Sequence, residues 1–344
     1  MKSDAAPVIA ATPQAPRREP AGMPRFLLTN EFGLLVLILV FGFGFWLAAP
    51  AFASPFNLFT LGRTMAIDIM IGFSMMVVIV TGGLNLAVGA IGVCAAMACG
   101  YMIESLGLPW PLAIAGTLLV AALLGAANGI VIVRSGLHSF IITLASMSIF
   151  FGAMVFLTRA ESFRNLPPVF ADFGRAKLIG PFSALLFVSI AAALALIVLY
   201  RLTVLGRQML AAGANPAAAT LSGISVGRVF VFCHMLSGMF AALAALMVVA
   251  RNGAALPSMA GQLGQDWLLP AFLGPVLGGA ALNGGRVSVT GTFLGSALVT
   301  TLTNGLLLLR VGEFWVQAAL GGLLLFAVLL DKARRVFLAR RKMA

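Results

Sequence analysis

Ten apolar runs fill most of the chain between positions 32 and 330, and no other feature limits the possible folds so tightly. They cover 32–52, 65–80, 84–102, 109–133, 139–157, 183–200, 229–250, 267–282, 287–309 and 314–330. About 20 helical residues cross the roughly 30 Å of bilayer hydrocarbon, so most of these runs can span it. The runs 65–80 and 267–282 are short and are expected to be broken or partly submerged, which leaves eight to ten spans. Lipid offers no partner to a backbone N–H or C=O, so each run must satisfy its own backbone as a helix. The fold class is therefore all-α, a polytopic integral membrane protein of about ten transmembrane helices. A chain that is 61% apolar and 9% charged, with a mean hydropathy of +1.07, carries more apolar surface than a soluble core can bury. Its 38 glycines suit close helix–helix approach in lipid.

Residues 1–30, rich in Ala, Pro and charge, read as a disordered cytoplasmic tail rather than a cleaved signal, because the first apolar run starts late and is long enough to stay as an anchor. Residues 31–331 form the transmembrane domain, and 332–344 a second, basic cytoplasmic tail. With the N-terminus inside, ten spans leave Arg63, Arg159, Arg164, Arg175, Lys177, Arg251 and Arg310 outside, and the other fifteen of the 22 Lys and Arg inside. The positive-inside bias therefore places both termini in the cytoplasm and residues 159–177 on the far side. Cations in tails and loops beside anionic lipid account for most of the net charge of +12, and no nucleic-acid partner is needed. Cys94, Cys99 and Cys233 lie in apolar runs without paired spacing and read as packing residues.

The longest polar interruption of the second half is 206–224, GRQMLAAGANPAAATLSGI. Its Ala-rich sequence is broken at Gly213 and Asn215-Pro216, which predicts a short exposed helix-turn-helix outside the membrane, within a loop running from 201 to 228. Two glycine-rich breaks stand out as well. Thr81-Gly82-Gly83-Leu84-Asn85 separates two apolar runs, and Gly278-Gly279-Ala280-Ala281-Leu282-Asn283-Gly284-Gly285 resembles it late in the chain. Either tight turns that need glycine or direct contact with a solute would explain them. A further similarity links NGIVIVRSG at 128–136 to NGLLLLRVG at 304–312, ending the fourth and ninth runs. An odd offset of five spans would make these inverted repeats of two five-helix halves, against the alternative of chance similarity between Leu-rich segments.

These motifs resemble those of the permease subunits of ribose, xylose and simple-sugar ABC importers. In the 206–224 stretch the family pattern G-R-x-x-x-A-x-G-x-N-x-x-A-A-x-x-S-G-I is matched by Gly206, Arg207, Ala211, Gly213, Asn215, Ala218, Ala219, Ser222, Gly223 and Ile224. The usual T-G-G-x-D-L-S-V-G is held by Thr81, Gly82 and Gly83, but Asn85 replaces the Asp and Ala87 the Ser. In the late glycine-rich pattern Ser288, Gly291 and Thr292 match, while Val287 replaces a Gly. Around 128–152 Ser139 takes the place of a Pro, with Phe140, Ile141, Thr143 and Leu144 retained. The resemblance covers roughly 32–331 and implies a membrane pore for a monosaccharide or related polyol. It implies ABC ATPase subunits docked on Gly206–Ile224, a periplasmic solute-binding protein at the opposite face, and a second permease copy, identical or different, in an inner membrane. Under this resemblance, Thr81, Gly82, Gly83, Asn85, Asn283 and Asn304 are candidates for the translocation path.

The remaining polar residues discriminate between energy sources. Lys2, Lys177, Lys332 and Lys342 are the only lysines and none sits in G-x-x-x-x-G-K-[ST], so this chain has no P-loop for ATP. No catalytic, metal-binding or cofactor-binding pattern is recognisable, and the chain is read as a non-enzyme. Asp68 is the one acid inside an apolar run; it is expected to pair with Arg63, against a role as a proton relay. His138 is expected at the surface and His234 as a packing histidine hydrogen-bonded across helices. Thr143, Thr300, Thr301 and Thr303 give a polar face for hydroxyl-rich solutes or ordinary interhelical contacts. An ion-coupled secondary transporter and a non-conducting scaffold beside a second permease remain the alternative readings.

Overall fold

The computed structural model describes residues 30–312, 314–326 and 328–329. The two expected tails therefore fall outside the described residues, apart from Asn30 at the start of the first helix. Among the described residues the regular structure is helical, apart from one small antiparallel hairpin and two isolated β-bridges. The helices are α1 (Asn30–Ala48), α2 (Pro55–Ile79), α3 (Val88–Glu104), α4 (Trp110–Ser135), α5 (Ser139–Thr158) and the short α6 (Pro168–Arg175). The hairpin β1 (Lys177–Ile179) and β2 (Phe182–Ser183) follows, then α7 (Ala184–Leu202), α8 (Val204–Ala214), α9 (Pro216–Leu221), α10 (Val226–Asn252), α11 (Leu268–Leu277), α12 (Val289–Leu308) and α13 (Phe314–Phe326).

Each of the ten apolar runs corresponds to one apolar helix, as an all-α polytopic membrane protein requires. Seven described helices, α1, α2, α4, α5, α7, α10 and α12, are long and apolar enough to cross a membrane. α3, with 17 residues, and α13 are shorter. The 267–282 run behaves as expected of a broken segment: only 10 residues, α11, are helical, about 15 Å of rise, and a kinked 3-10 segment with left-handed Leu263 and Gly264 precedes it. The 65–80 run does not. It is the buried end of a continuous 25-residue helix, because Ser54 Oγ accepts the Asn57 N–H at 3.2 Å and Pro55 supplies a preset first turn, so α2 begins ten residues before the apolar run.

α2 is the axis of the bundle. It packs against α7, α10, α11 and α12, and from Ile69 to Val80 every residue is buried. The outer helices are inverted relative to a soluble protein: Leu39, Leu47, Phe156 and Leu194 are more than half exposed, as expected where the solvent is hydrocarbon. Since lipid is as apolar as a leucine side chain, association depends on close packing, and the α4–α10 contact shows how it is reached. A Cβ at Gly125 would collide with the His234 carbonyl, and one at Gly238 with the Ala121 carbonyl. The two helices therefore pack backbone to backbone.

Three sequence expectations are refined by this packing. Asp68 does not pair with Arg63. Five residues along one helix places them about 140° apart around its axis, and Asp68 instead accepts from Thr300 Oγ1 at 2.7 Å while Arg63 reaches the Gly174 carbonyl at 3.4 Å. His234 is fully buried, but neither ring nitrogen has a partner; Gly125 and Gly129 present only backbone to it, and its ring lies 4.9 Å from Phe230. His138 acts as a helix cap, its Nδ1 accepting from Phe140 N at 3.2 Å. The related segments 128–136 and 304–312 end α4 and α12 at opposite ends of the bundle, since α4 finishes beside the start of α10 and Asn304 beside the start of α2.

Gly238→Val should separate α4 from α10 and cost on the order of 1–3 kcal/mol of stability, as overpacking usually does. Gly152→Val, at a position with open space around it, should leave thermal unfolding in detergent nearly unchanged. Equal melting temperatures for the two variants would contradict this packing.

Candidate coupling surface and translocation residues

Gly206–Ile224 folds as the helix-turn-helix its breaks require. Thr203 Oγ1 caps α8 by accepting the Gly206 N–H at 3.0 Å. Asn215 both closes α8 and opens α9, its Oδ1 accepting from Ala218 N at 3.0 Å, with Pro216 in the first turn. Ser222 Oγ donates to the Ala218 carbonyl at 2.9 Å, and Gly223 ends the motif with φ +80°. One face of α8, Gly206, Met209, Ala212 and Gly213, is buried; Arg207, Asn215, Ala218, Ser222 and Gly223 are exposed, and Ile224 is half-buried. Leu221, at the tip of α9, is 91% exposed. A single exposed leucine is ordinary on a protein surface; this one is notable only for lying on the exposed motif, next to Ala218 and Ser222. Sequence reading passed over it because a leucine in an Ala-rich segment carries no motif signal.

Both glycine-rich breaks meet the end of α8. Gly285 donates its N–H to the Val80 carbonyl at 2.8 Å, tying the late break to the end of α2. A Cβ at Gly213 would fall on that same Val80 oxygen, and one at Gly284 would press on Gly82 N and the Gly213 carbonyl. Gly82, Gly284 and Gly285 all have positive φ, +77°, +89° and +77°. Glycine is needed here twice over, for backbone conformation and for the approach of three chain segments with no side chain between them. Asn283 lies exposed at this junction, and its carbonyl faces Gly82.

The first break continues into the core, where its freed backbone groups find side-chain partners. Leu84 N donates to Ser139 Oγ at 2.9 Å and Leu86 N to Thr143 Oγ1 at 3.1 Å, so α5 supplies the acceptors. Ser139, where the resembled family commonly has Pro, is one of them. Asn85 is fully buried; its Oδ1 accepts from Ala87 N at 3.1 Å and its Nδ2 donates to Ser237 Oγ at 2.9 Å. Ser237 is bonded in turn to Ser74 Oγ at 3.0 Å, which joins the break to α10 and α2. Asn304 sits apart, toward the other end of the bundle. It exchanges two amide hydrogen bonds with Asn57, 3.0 and 3.1 Å, and Asn57 Nδ2 also donates to the Phe52 carbonyl at 2.8 Å. The candidate path residues thus divide into a group at the α8 junction, Thr81, Gly82, Gly83 and Asn283, the buried Asn85 beyond it, and the distant Asn304.

The family described as branched-chain amino acid transport system / permease component matches residues 57–330, which spans nearly every element above. The chain belongs to that permease family. Among relatives of this permease, the ribose import permease of Bacillus subtilis is 36% identical over 88% of this chain and 91% of its own. The D-allose transport system permease of Escherichia coli is 31% identical over 88% and 90%, and the autoinducer 2 import permease of Salmonella paratyphi B 32% over 77% and 79%. The resemblance to simple-sugar importer permeases carried by the 206–224 motif therefore holds over the spanning domain. No solved structure matches the permease.

Gly213→Ala should push α8 off the Val80 carbonyl and break the Gly285 hydrogen bond. Hydrogen–deuterium exchange of a peptide covering 281–287 should then quicken at least tenfold at Gly285, whereas Gly152→Ala, in open space within α5, should leave it unchanged. Equal protection of that amide in wild type and Gly213→Ala would show that the junction is not closed in this way.

Proposed function

We propose that the permease is the pore subunit of an ATP-binding cassette importer for a monosaccharide or related polyol. It would lie in the bacterial inner membrane with both termini cytoplasmic and would pair with a second permease copy. The observation that supports this most is the exposed helix-turn-helix α8–α9, which carries the family motif, presents Ala218 and Leu221 outward and rests on the backbone of two breaks. A separate ATPase docked there would push on α2 and on the α11–α12 turn through the glycine junction. A solute-binding protein would deliver sugar at the opposite end of the bundle, the end of Asn57, Arg63 and Asn304. The named relatives carry ribose, allose and autoinducer 2 in their descriptions, which favours a small hydroxylated solute.

A hydroxylated solute entering the membrane needs hydrogen-bond partners, since an unpaired polar group costs on the order of 1–3 kcal/mol. Thr81, Gly82, Gly83, Asn85, Asn283 and Asn304 are proposed to provide them as the subunits move. Asn283 is the cleanest probe because it is exposed and free of the bonds that make Asn85 and Asn304 part of the fold.

A secondary transporter is the second reading, favoured by Asp68. Its carboxyl lies near the middle of α2 beside Thr300, whose single hydroxyl proton also has the Ser296 carbonyl 2.9 Å away. Two acceptors around one donor is the arrangement a protonated carboxyl would relieve.

Ala218→Cys and Leu221→Cys should crosslink to the ATPase subunit, while cysteine at Phe182 should not. Asn283→Leu should lower sugar uptake severalfold with unchanged expression and basal ATP hydrolysis. No crosslink from either α9 position would refute the docking assignment, and normal uptake by Asn283→Leu would remove Asn283 from the path.

A further inference from the structure

At the end of the bundle opposite α8–α9, four cations gather around the outer third of α2. Arg63 lies 17 residues before Val80, about 25 Å along the helix from the glycine junction. Its guanidinium is 5.0 Å from the Phe59 ring centre, and Lys177 Nζ is 5.1 Å from the same ring. Arg175 directly follows Gly174, whose carbonyl Arg63 contacts, and Arg251 N borders Gly174 at the end of α10. Arg63 Nη1 reaches the Gly174 carbonyl at 3.4 Å, while its Nε is enclosed without any partner. Among the described residues no carboxylate pairs with Arg63, Arg175 or Lys177. Asp68 offsets Arg251 in part, and Asp172 on α6 is exposed. Arg63, Arg175 and Lys177, held together with no described carboxylate bonded to any of them, form a site for an anion.

The surroundings identify which anion. α6 is clamped to the end of α10, where a Cβ at Gly174 would strike the Ala250 carbonyl, so Arg175 and the hairpin after it are held in place. That hairpin carries Leu178, Ile179 and Phe182 exposed at 60%, 63% and 47% beside Lys177, between the two spans α5 and α7. Exposed apolar side chains, with Ile179 and Phe182 paired across the hairpin, next to fixed cations at the end of membrane helices match a molecule with a charged head and a hydrocarbon tail. An acidic protein surface would satisfy the cations but leave Leu178 and Ile179 against polar groups. We propose that Arg63, Arg175 and Lys177 bind the phosphate of an anionic phospholipid in the adjoining leaflet, with its acyl chains lying along Leu178, Ile179 and Phe182. This site is independent of the solute carried and of the energy source.

Native mass spectrometry of the full chain, given equal phosphatidylglycerol and phosphatidylcholine in detergent, tests the assignment. Wild type should retain phosphatidylglycerol at least fivefold over phosphatidylcholine. Arg63→Gln/Lys177→Gln should bring the ratio close to one, and Lys177→Gln alone, at an exposed position, should lower it without disturbing the fold. Leu178→Ser/Ile179→Ser should reduce retention of both lipids and keep their ratio. A wild-type ratio near one, or a ratio unchanged by the Arg63 and Lys177 variants, would overturn the site. Full displacement of the lipid by equimolar glycerol 3-phosphate would reassign it to free organic phosphates. Loss of binding-protein docking in Lys177→Gln with lipid retention intact would reassign it to an acidic protein surface.

Discussion

The hydrogen bond from Gly285 N to the Val80 carbonyl closes the junction on which α8 rests. A broken helix within a membrane protein leaves backbone groups that lipid cannot satisfy, and each must be met inside the fold. Here the end of α2 is met by the late glycine-rich turn, and the stretch after it by Ser139 and Thr143 of α5. Because those partners are fixed, the two breaks become rigid bearings, and Gly213 seats α8 on them. At Gly82, Gly213 and Gly284 the approach is backbone to backbone, which leaves little side-chain repacking to absorb a movement of α8.

That geometry would give α8–α9, if an ATPase docks there as proposed, a mechanical path into the core. α2 is buried along its inner half and touches α7, α10, α11 and α12, so a push at Val80 reaches most of the bundle. The chain of Ser74, Ser237 and Asn85 runs beside it and links α2, α10 and the first break through hydroxyl and amide groups. Fully satisfied and buried, such a chain stiffens the contact between the three elements. The neutral Asn85 fits this position because its amide gives a donor to Ser237 and an acceptor to Ala87 N, which a carboxylate could not do.

Much of the fold was legible because apolar runs and glycine breaks are local signals. Ten runs correspond to ten apolar helices, and Asn215-Pro216 does divide 206–224 into two helices. The start of α2 was missed where hydropathy fades, although Ser54 and Pro55 carry an ordinary helix-start signal. The partners of Asp68, Asn304 and Leu84 were not readable, because each lies in a distant part of the chain and depends on which helix faces meet. The site was legible as motif but not as geometry. Spacing alone could not reveal that Gly82, Gly213 and Gly284 converge, or that Asn304 stands at the other end from Asn283.

In the proposed function, ATP hydrolysis by a partner, acting through α8–α9, drives a small hydroxylated solute through this permease. Uptake of labelled ribose into proteoliposomes containing the permease, its ATPase and its binding protein tests it most directly, with ATP and the ion gradients varied separately. Uptake should require ATP on the ATPase side and survive a protonophore and sodium removal. Uptake of any sugar tried that follows the proton or sodium gradient and ignores ATP would contradict the proposed function, and would put Asp68 at the centre of the mechanism instead.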